Sequence, residues 1–272
     1  MVRKRWILVW IIATLSVFAC EKKPPPEDKE LDRLIQNSTY IFSGAVEKLG
    51  AAHMDSVPTD DNTAVVTIIQ VYTPADILGD LSGKQVTVQL KPGTPIRAGE
   101  KAVFFTNGWI YGKGVAFMEV GRMKEEPADK FKTRVADSLQ RKVDQQLKSR
   151  IDRANVVVVA KVVKTDELKL EKPQPISEHN PQWHEAVLQI SSIVKGEFQG
   201  QELRMNYPGS DDEAWLESPK PKLEEEGIWI LQKDQQEKGG AKFRVPGYTA
   251  LDALDFQPKD QLDRVKRLIG KK

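Results

Sequence analysis

Two halves of the chain carry the same series of apolar segments in the same order, and this repeat constrains the fold more than any other feature. The aligned pairs are 38–48 with 154–164, 63–72 with 185–194, 82–90 with 199–207, 98–105 with 224–231, and 127–131 with 258–262. The third segment of each copy is followed by Pro-Gly, at Pro92-Gly93 and Pro208-Gly209. Any single pair of apolar segments can match by composition alone. The same order, spacing and turn dipeptide in both halves of the chain predict a tandem duplication.

Each copy contains five short apolar or alternating runs bounded by Gly, Pro and Asp, a pattern typical of β-strands. The runs are 39–48, 63–72, 84–90, 101–106 and 114–120 in the first copy, and 155–164, 185–194, 201–207, 227–232 and 242–248 in the second. Five strands in roughly 115 residues favour a small barrel, which also leaves no open sheet edge. The predicted fold is mainly β with α: two tandem five-stranded OB-like barrels, each followed by a helix.

The first helix carries a stripe of apolar residues at every fourth position, from Phe131 to Ile151. Steps of four on a 3.6-residue helix drift by about 40° each, so this stripe turns around the helix. We therefore expect its first half to cap barrel one and its second half to face barrel two or the interface. The last helix is predicted over residues 258–269, with Leu262, Val265 and Leu268 facing inward.

The N-terminal segment combines three basic residues with an apolar run over residues 6–19. A bilayer-spanning helix needs roughly 20 apolar residues, whereas the core of a secretory signal needs about 7–15. The segment predicts a signal peptide, with a signal anchor as the alternative. Without this leader the chain carries 38 basic and 39 acidic side chains, a net charge of −1, which argues against a nucleic-acid partner.

The only cysteine, Cys20, ends the apolar run directly after Val17, Phe18 and Ala19. This tetrapeptide resembles the signal of bacterial lipoproteins. The resemblance implies that Cys20 becomes the mature N-terminus, is lipidated with palmitate-type chains, and anchors the protein to a membrane of the bacterial cell envelope, facing outside the cytoplasm. The alternative is a chance free cysteine in an ordinary signal peptide, although a lone cysteine has no disulfide partner in an oxidising compartment.

The following EKKPPPEDK stretch predicts an extended polyproline tether. The predicted order is signal peptide (1–19), lipidated cysteine and tether (20–35), barrel one (36–126), connecting helix (127–151) and barrel two with the C-terminal helix (152–272).

Ile193-Val194-Lys195-Gly196, followed by residues 200–205, resembles the netrin-like and metalloproteinase-inhibitor-like OB modules. In the first copy Tyr72-Thr73-Pro74 departs from this pattern. Inhibitors of that family place a free N-terminal cysteine on the zinc of a protease, braced by disulfides. A lipidated Cys20 cannot chelate a metal and no other cysteine is present, so we do not expect that mechanism.

Aromatic side chains in predicted connections are the candidates for contact with a ligand or partner. Trp109 and Tyr111 lie between the glycines of a predicted hairpin, and Trp183 and Trp215 lie in connections of the second copy. Exposed rings could stack on sugars or bases or anchor a protein. The alternative is that these rings fold back over the barrel ends.

All three histidines lie in or beside the connection between the first and second strands of their copy, where OB barrels bind ligands. His53 belongs to the first copy, His179 and His184 to the second. The five-residue separation fits no standard zinc motif, so His179 and His184, with Glu178 nearby, are weak metal candidates. Ordinary surface histidines are the alternative. We predict no catalytic residue and no cofactor, because no Gly-x-Ser-x-Gly motif or similar nucleophile signal is present.

The sequence favours a non-enzymatic, lipid-anchored envelope protein that binds a protein or glycan partner, with the membrane contacted through the N-terminal lipid. The alternative is an envelope hydrolase or metal-dependent enzyme that uses loops 49–62 and 166–184.

Overall fold

The computed structural model describes residues 26–73, 78–110, 114–169, 179–238, 241–243 and 245–270. The chain divides into two compact units, and the boundary along the sequence falls between Val135 and Ala136 inside helix α2 (Ala128–Arg153). Each unit contains one closed β-barrel, and a helix follows each barrel. The predicted fold class is therefore confirmed.

Barrel one is closed by five strands in the order β1-β2-β3-β5-β4. They are β1 (Tyr40–Leu49), β2 (Thr63–Val71), β3 (Gln85–Gln89), β4 (Lys101–Ile110) and β5 (Ala116–Lys124). β3 and β5 pair in parallel, the other neighbours are antiparallel, and the pairing of β1 with β4 completes the ring.

Alternate side chains of these strands fill the interior of barrel one. Val86 and Val88 are buried on one side of β3, as the alternation predicts. The ring of Phe42 stacks on that of Phe104 with centroids 5.4 Å apart, and Phe117 lies in the same cluster. The interior is occupied by the barrel's own side chains.

A helix precedes barrel one where the sequence predicted an extended tether. α1 (Pro26–Gln36) buries Leu31, Leu34 and Ile35. Leu34 lies against Gly121 of β5, where an added Cβ would come within 2.6 Å of its Cδ2. The tether prediction is wrong from Pro26 onward. Proline is accepted in the first turn of a helix, and apolar residues three and four apart form one face that packs on the barrel.

Barrel two is closed by strands in the order β6-β7-β8-β12-β9. They are β6 (Val156–Glu167), β7 (Trp183–Lys195), β8 (Glu202–Pro208), β9 (Glu226–Lys233) and β12 (Tyr248–Thr249). Between β9 and β12, β10 (Glu237–Lys238) and β11 (Ala241–Lys242) form a separate two-stranded ladder. The barrel interior is again filled, with Trp229 completely buried.

The fifth strand of barrel two is interrupted, which corrects the predicted strand at 242–248. β12 pairs with both β8 and β9, then the chain leaves the sheet through the 3₁₀ helix η1 (Ala253–Asp255). It rejoins β9 through β13 (Phe256–Pro258). The prediction ended too early because Pro246 lacks a ladder donor and Gly247 has a φ of +84°, so the chain turns before it pairs.

The apolar stripe of α2 is buried at its two ends. In the first unit, the ring of Phe131 lies 4.8 Å from that of Tyr72. In the second unit, Leu147 and Ile151 are completely buried in a cluster on the outside of barrel two. Val143, between these ends, is 37% exposed. Each end of the stripe thus packs on the barrel of its own unit, as the turning stripe predicts.

Lys195, from the segment that resembles the netrin-like pattern, holds the carboxyl end of α2. The Lys195 ammonium donates to the carbonyl oxygens of Ile151 (2.5 Å), Asp152 (3.0 Å) and Ala154 (2.9 Å). A cation at this end of a helix satisfies carbonyl groups that have no partner within the helix. The structural role of this motif is to cap the helix.

A buried ion pair also joins α2 to barrel two. Arg150 donates from Nε (2.8 Å) and Nη2 (2.6 Å) to the two carboxylate oxygens of Asp255, whose side chain is completely buried. Asp255 also accepts bonds from the backbone of Leu251 and Asp252. After η2 (Lys259–Gln261), helix α3 (Leu262–Gly270) ends the described chain.

Candidate functional site

Trp183 and Trp215 lie in an apolar cluster of the second unit. They are 4% and 0% exposed, and their ring centroids are 6.0 Å apart. Phe243 packs on both rings, and the Trp215 indole donates a 2.9 Å hydrogen bond to the carbonyl of His179. These two tryptophans cover the barrel and do not offer a ring to a partner.

Trp109 is half-buried on β4. Tyr111 lies outside the described residues, as does Cys20 with the lipoprotein-like tetrapeptide.

The exposed large hydrophobic side chains of the described residues include no aromatic ring. They are Leu49, Ile69, Met118, Val143, Ile193, Leu216 and Leu223. Sugars and bases bind by stacking on exposed rings, whereas exposed aliphatic side chains are typical of contacts with proteins. The sequence missed this distinction because strand-like aromatic residues look alike whether their rings point in or out.

Two lysine side chains hold the connection between β8 and β9, which we call the acidic loop (residues 209–225). The Lys220 ammonium donates to the carbonyls of Pro208 and Ser210, the latter at 2.8 Å. Lys238 lies with its Nζ 5.7 Å from the centre of the Trp215 ring. Burial lowers the pKa of both lysines. Lys220 supplies a donor to carbonyls at the start of the loop, whereas Lys238 donates to the carbonyl of Leu251, outside the loop.

Ser218 and Lys238 form the contact that most resembles an activated nucleophile. Lys238 Nζ lies 3.1 Å from Ser218 Oγ, and Ser218 donates to the carbonyl of Leu251 at 2.7 Å. Ser218 is only 3% exposed. Because the serine proton is committed to a backbone carbonyl and the hydroxyl is covered, this pair ties the loop to the barrel.

The structure gives His179 and His184 separate partners. His179 Nδ1 lies 2.8 Å from a carboxylate oxygen of Asp212. Hydrogen bonds from the backbone of Ala214 and from His179 hold the pKa of Asp212 below its ordinary value. His184 stacks on Tyr207, with centroids 5.4 Å apart. Within the described ranges, no group of three or more His, Cys, Asp or Glu is placed to hold a metal ion, and Glu178 lies outside those ranges.

In barrel one, the loop after β1 folds over the outer face of β3. The backbone N–H of His53 donates to Thr87 Oγ1 at 3.0 Å, and His53 Nδ1 lies 2.7 Å from the same oxygen. Thr87 is completely buried. A Cβ on Gly114 would lie 3.0 Å from His53 Nε2, so the loop before β5 also approaches this point. Burial lowers the pKa of His53. The face and loops that OB barrels use for ligands are here in contact with one another.

Glu119 is the buried carboxylate among the described residues of barrel one. Its Oε2 accepts from Arg122 at 2.7 Å and from the backbone N–H of Lys91 at 3.0 Å. Burial raises the pKa of Glu119, and these two donors oppose that shift. The pair fixes the chain that follows β3. No feature of the sequence distinguishes this glutamate from a surface residue.

A polar groove of about 400 Å³ lies between α2 and α3. It is lined by Gln140, Asp144, Asp260, Gln261, Asp263, Arg264 and Arg267. Arg264 donates to Asp144 at 2.8 Å across it. Because cations and carboxylates alternate along its walls, the groove has no consistent preference for an anion or a cation.

No protein-family model and no curated protein sequence matches the chain. In the part of the chain that the structure describes, no helix combines the length and apolar character needed to cross a bilayer.

Proposed function

We propose that this protein is a lipid-anchored, non-enzymatic binding protein of the bacterial cell envelope, held through Cys20, that recognises a protein or glycan partner with the surfaces of its barrels. The observation that carries the proposal is that each barrel interior is filled by its own side chains, which leaves binding to the exterior. The exposed apolar side chains are aliphatic, and this favours a protein over a glycan.

Labelling with a palmitate analogue in a bacterial host tests the anchor. The wild-type chain is expected to carry the label and to sediment with membranes. The matched variant Cys20→Ser is expected to lose both properties. A wild-type chain that remains unlabelled would contradict the lipid anchor while leaving the binding surfaces untouched.

Cross-linking in intact cells, followed by purification of the full chain through a C-terminal tag, tests the partner. One protein is expected in a constant ratio to the wild-type chain. Any truncated version should keep Pro26 and the residues after it, because α1 packs on barrel one. Stoichiometric zinc that is lost in the His179→Ala/His184→Ala variant would instead support the metal-dependent enzyme.

A further inference from the structure

Two leucines of the acidic loop are more exposed than any other large hydrophobic side chain in the described ranges. Leu216 is 64% exposed and Leu223 is 60% exposed. The next in order are Met118 at 49% and then Ile69 and Ile193 at 43%. Isolated exposed leucines are common, so exposure alone does not define a site. The backbone and the charges around these two leucines provide the further observations.

The backbone that carries the leucines is fixed. Trp215, next to Leu216, is completely buried, and its backbone carbonyl accepts a 2.9 Å bond from Ser218 N. Near Leu223, the backbone N–H of Glu224 donates to Val162 of β6 at 2.9 Å. An ordered backbone loses little further conformational entropy when a partner covers the side chains that it carries, which favours binding at these positions.

The loop contains two prolines between the leucines, Pro219 and Pro221. Proline fixes its own φ and restricts the residue before it. The backbone between Leu216 and Leu223 is therefore restricted in conformation.

The charges around the leucines are mainly negative. The loop contains six carboxylates and two lysines. The ammonium of Lys220 is committed to backbone carbonyls, so Lys222 is the basic residue of the loop that is exposed. Asp211, Glu213 and Glu217 are exposed carboxylates near Leu216. Beside Leu223, the exposed carboxylate of Glu224 forms an ion pair with Lys161 of β6. An apolar contact with an acidic rim is complementary to an apolar segment with basic flanks.

We propose that the acidic loop is a docking surface for a basic, apolar segment of a partner protein, with Leu216 and Leu223 as its apolar contacts. This inference rests on the proposed binding function and specifies the surface and the chemistry of the partner. The carboxylates steer a cationic segment toward the loop, and burial of the leucines slows its dissociation.

Selection of displayed random peptides of about twelve residues on the full chain, purified in detergent, tests the surface. Enriched peptides are expected to combine Lys or Arg with Leu, Phe or Trp. The tightest peptide, synthesised separately, should bind Leu216→Ser and Leu223→Ser about 10-fold or more weakly. Its binding should also weaken as salt rises from about 0.05 to about 0.5 M. Ile193→Ser removes another exposed aliphatic side chain of the same unit and should bind as the wild type does.

Three results would overturn the docking surface: no enriched peptide, enriched peptides without basic residues, or equal affinity for the leucine variants and the wild type. The leucine variants should keep the thermal midpoint of the wild type, because both side chains are exposed. Cross-linking in cells separates this inference from the proposed function. If the envelope partner is captured equally by wild type and Leu216→Ser, the binding function stands and the acidic loop is not its surface.

Discussion

Replacement of Arg150 by methionine should destabilise the second unit strongly. The change keeps an unbranched stem in helix α2 but removes both donors to Asp255, whose side chain is completely buried. The carboxylate keeps only its backbone donors from Leu251 and Asp252. Breaking a buried ion pair by removal of one partner costs about 3–5 kcal/mol, and we expect a loss of unfolding free energy in that range at neutral pH.

The loss should depend on pH in a defined direction. Burial raises the pKa of Asp255, and the hydrogen bonds and charge of Arg150 oppose this shift. Without Arg150 the folded-state pKa rises further above the unfolded value. The folded variant then holds a proton that the unfolded chain releases, so its deficit is largest at neutral pH and shrinks as pH falls.

Urea unfolding followed by tryptophan emission measures this effect, because Trp183, Trp215 and Trp229 all lie in the second unit. Arg153→Met, at an exposed position of the same helix, is the matched control and should change stability by less than about 0.5 kcal/mol. Adding Asp255→Asn to Arg150→Met should recover part of the loss at neutral pH. A loss below about 1 kcal/mol, or an equal loss at acidic and neutral pH, would refute this account of the ion pair.

Four further changes have defined outcomes. Lys195→Met removes the cap of α2 and should cost about 1.5–3 kcal/mol of unfolding free energy in urea; no change would show that water replaces the ammonium. Gly196→Ala should lower the unfolding free energy by about 2 kcal/mol or more, because φ is +81° and the added Cβ would lie 2.2 Å from the carbonyl oxygen of Asn155. A variant with the urea midpoint of the wild type would contradict this close approach. Leu34→Ala should cost about 2–5 kcal/mol in thermal or urea unfolding, whereas a flexible tether would tolerate it. Burial lowers the pKa of His53 in the folded state, so the first unit should lose stability as pH falls below about 6.5. In His53→Gln, the thermal midpoint should change less steeply with pH than it does in the wild type.

The repeat and the strand alternation were sufficient to predict both barrels from the sequence. Strands with long alternating runs, such as β1 and β7, begin and end within a few residues of the predicted positions. The fifth strand of barrel two could not be placed, because its pairing residues are divided between two short segments around Asp255. Local hydrophobicity does not reveal a strand that is interrupted by a buried ion pair.

Helix α1 was predictable but was missed. Leu31, Leu34 and Ile35 have helical spacing, and only the preceding prolines favoured an extended chain. The candidate site shows a different limit. Trp215 is buried against Trp183 and Phe243, whereas its neighbour Leu216 is exposed. These ring contacts join residues that are far apart in the sequence, so they leave no periodic pattern.

The interrupted strand of barrel two affects how the two copies open. β12 contributes two residues to the closure of its barrel, whereas β5 contributes a strand of nine residues to barrel one. Local opening needs less free energy where fewer backbone hydrogen bonds are lost. Amide protons of Tyr248 and Thr249 should therefore exchange with solvent well before those of β6 and β7. The two barrels would then share an architecture but differ in cooperativity, because barrel two would open at β12 while its other strands stay paired.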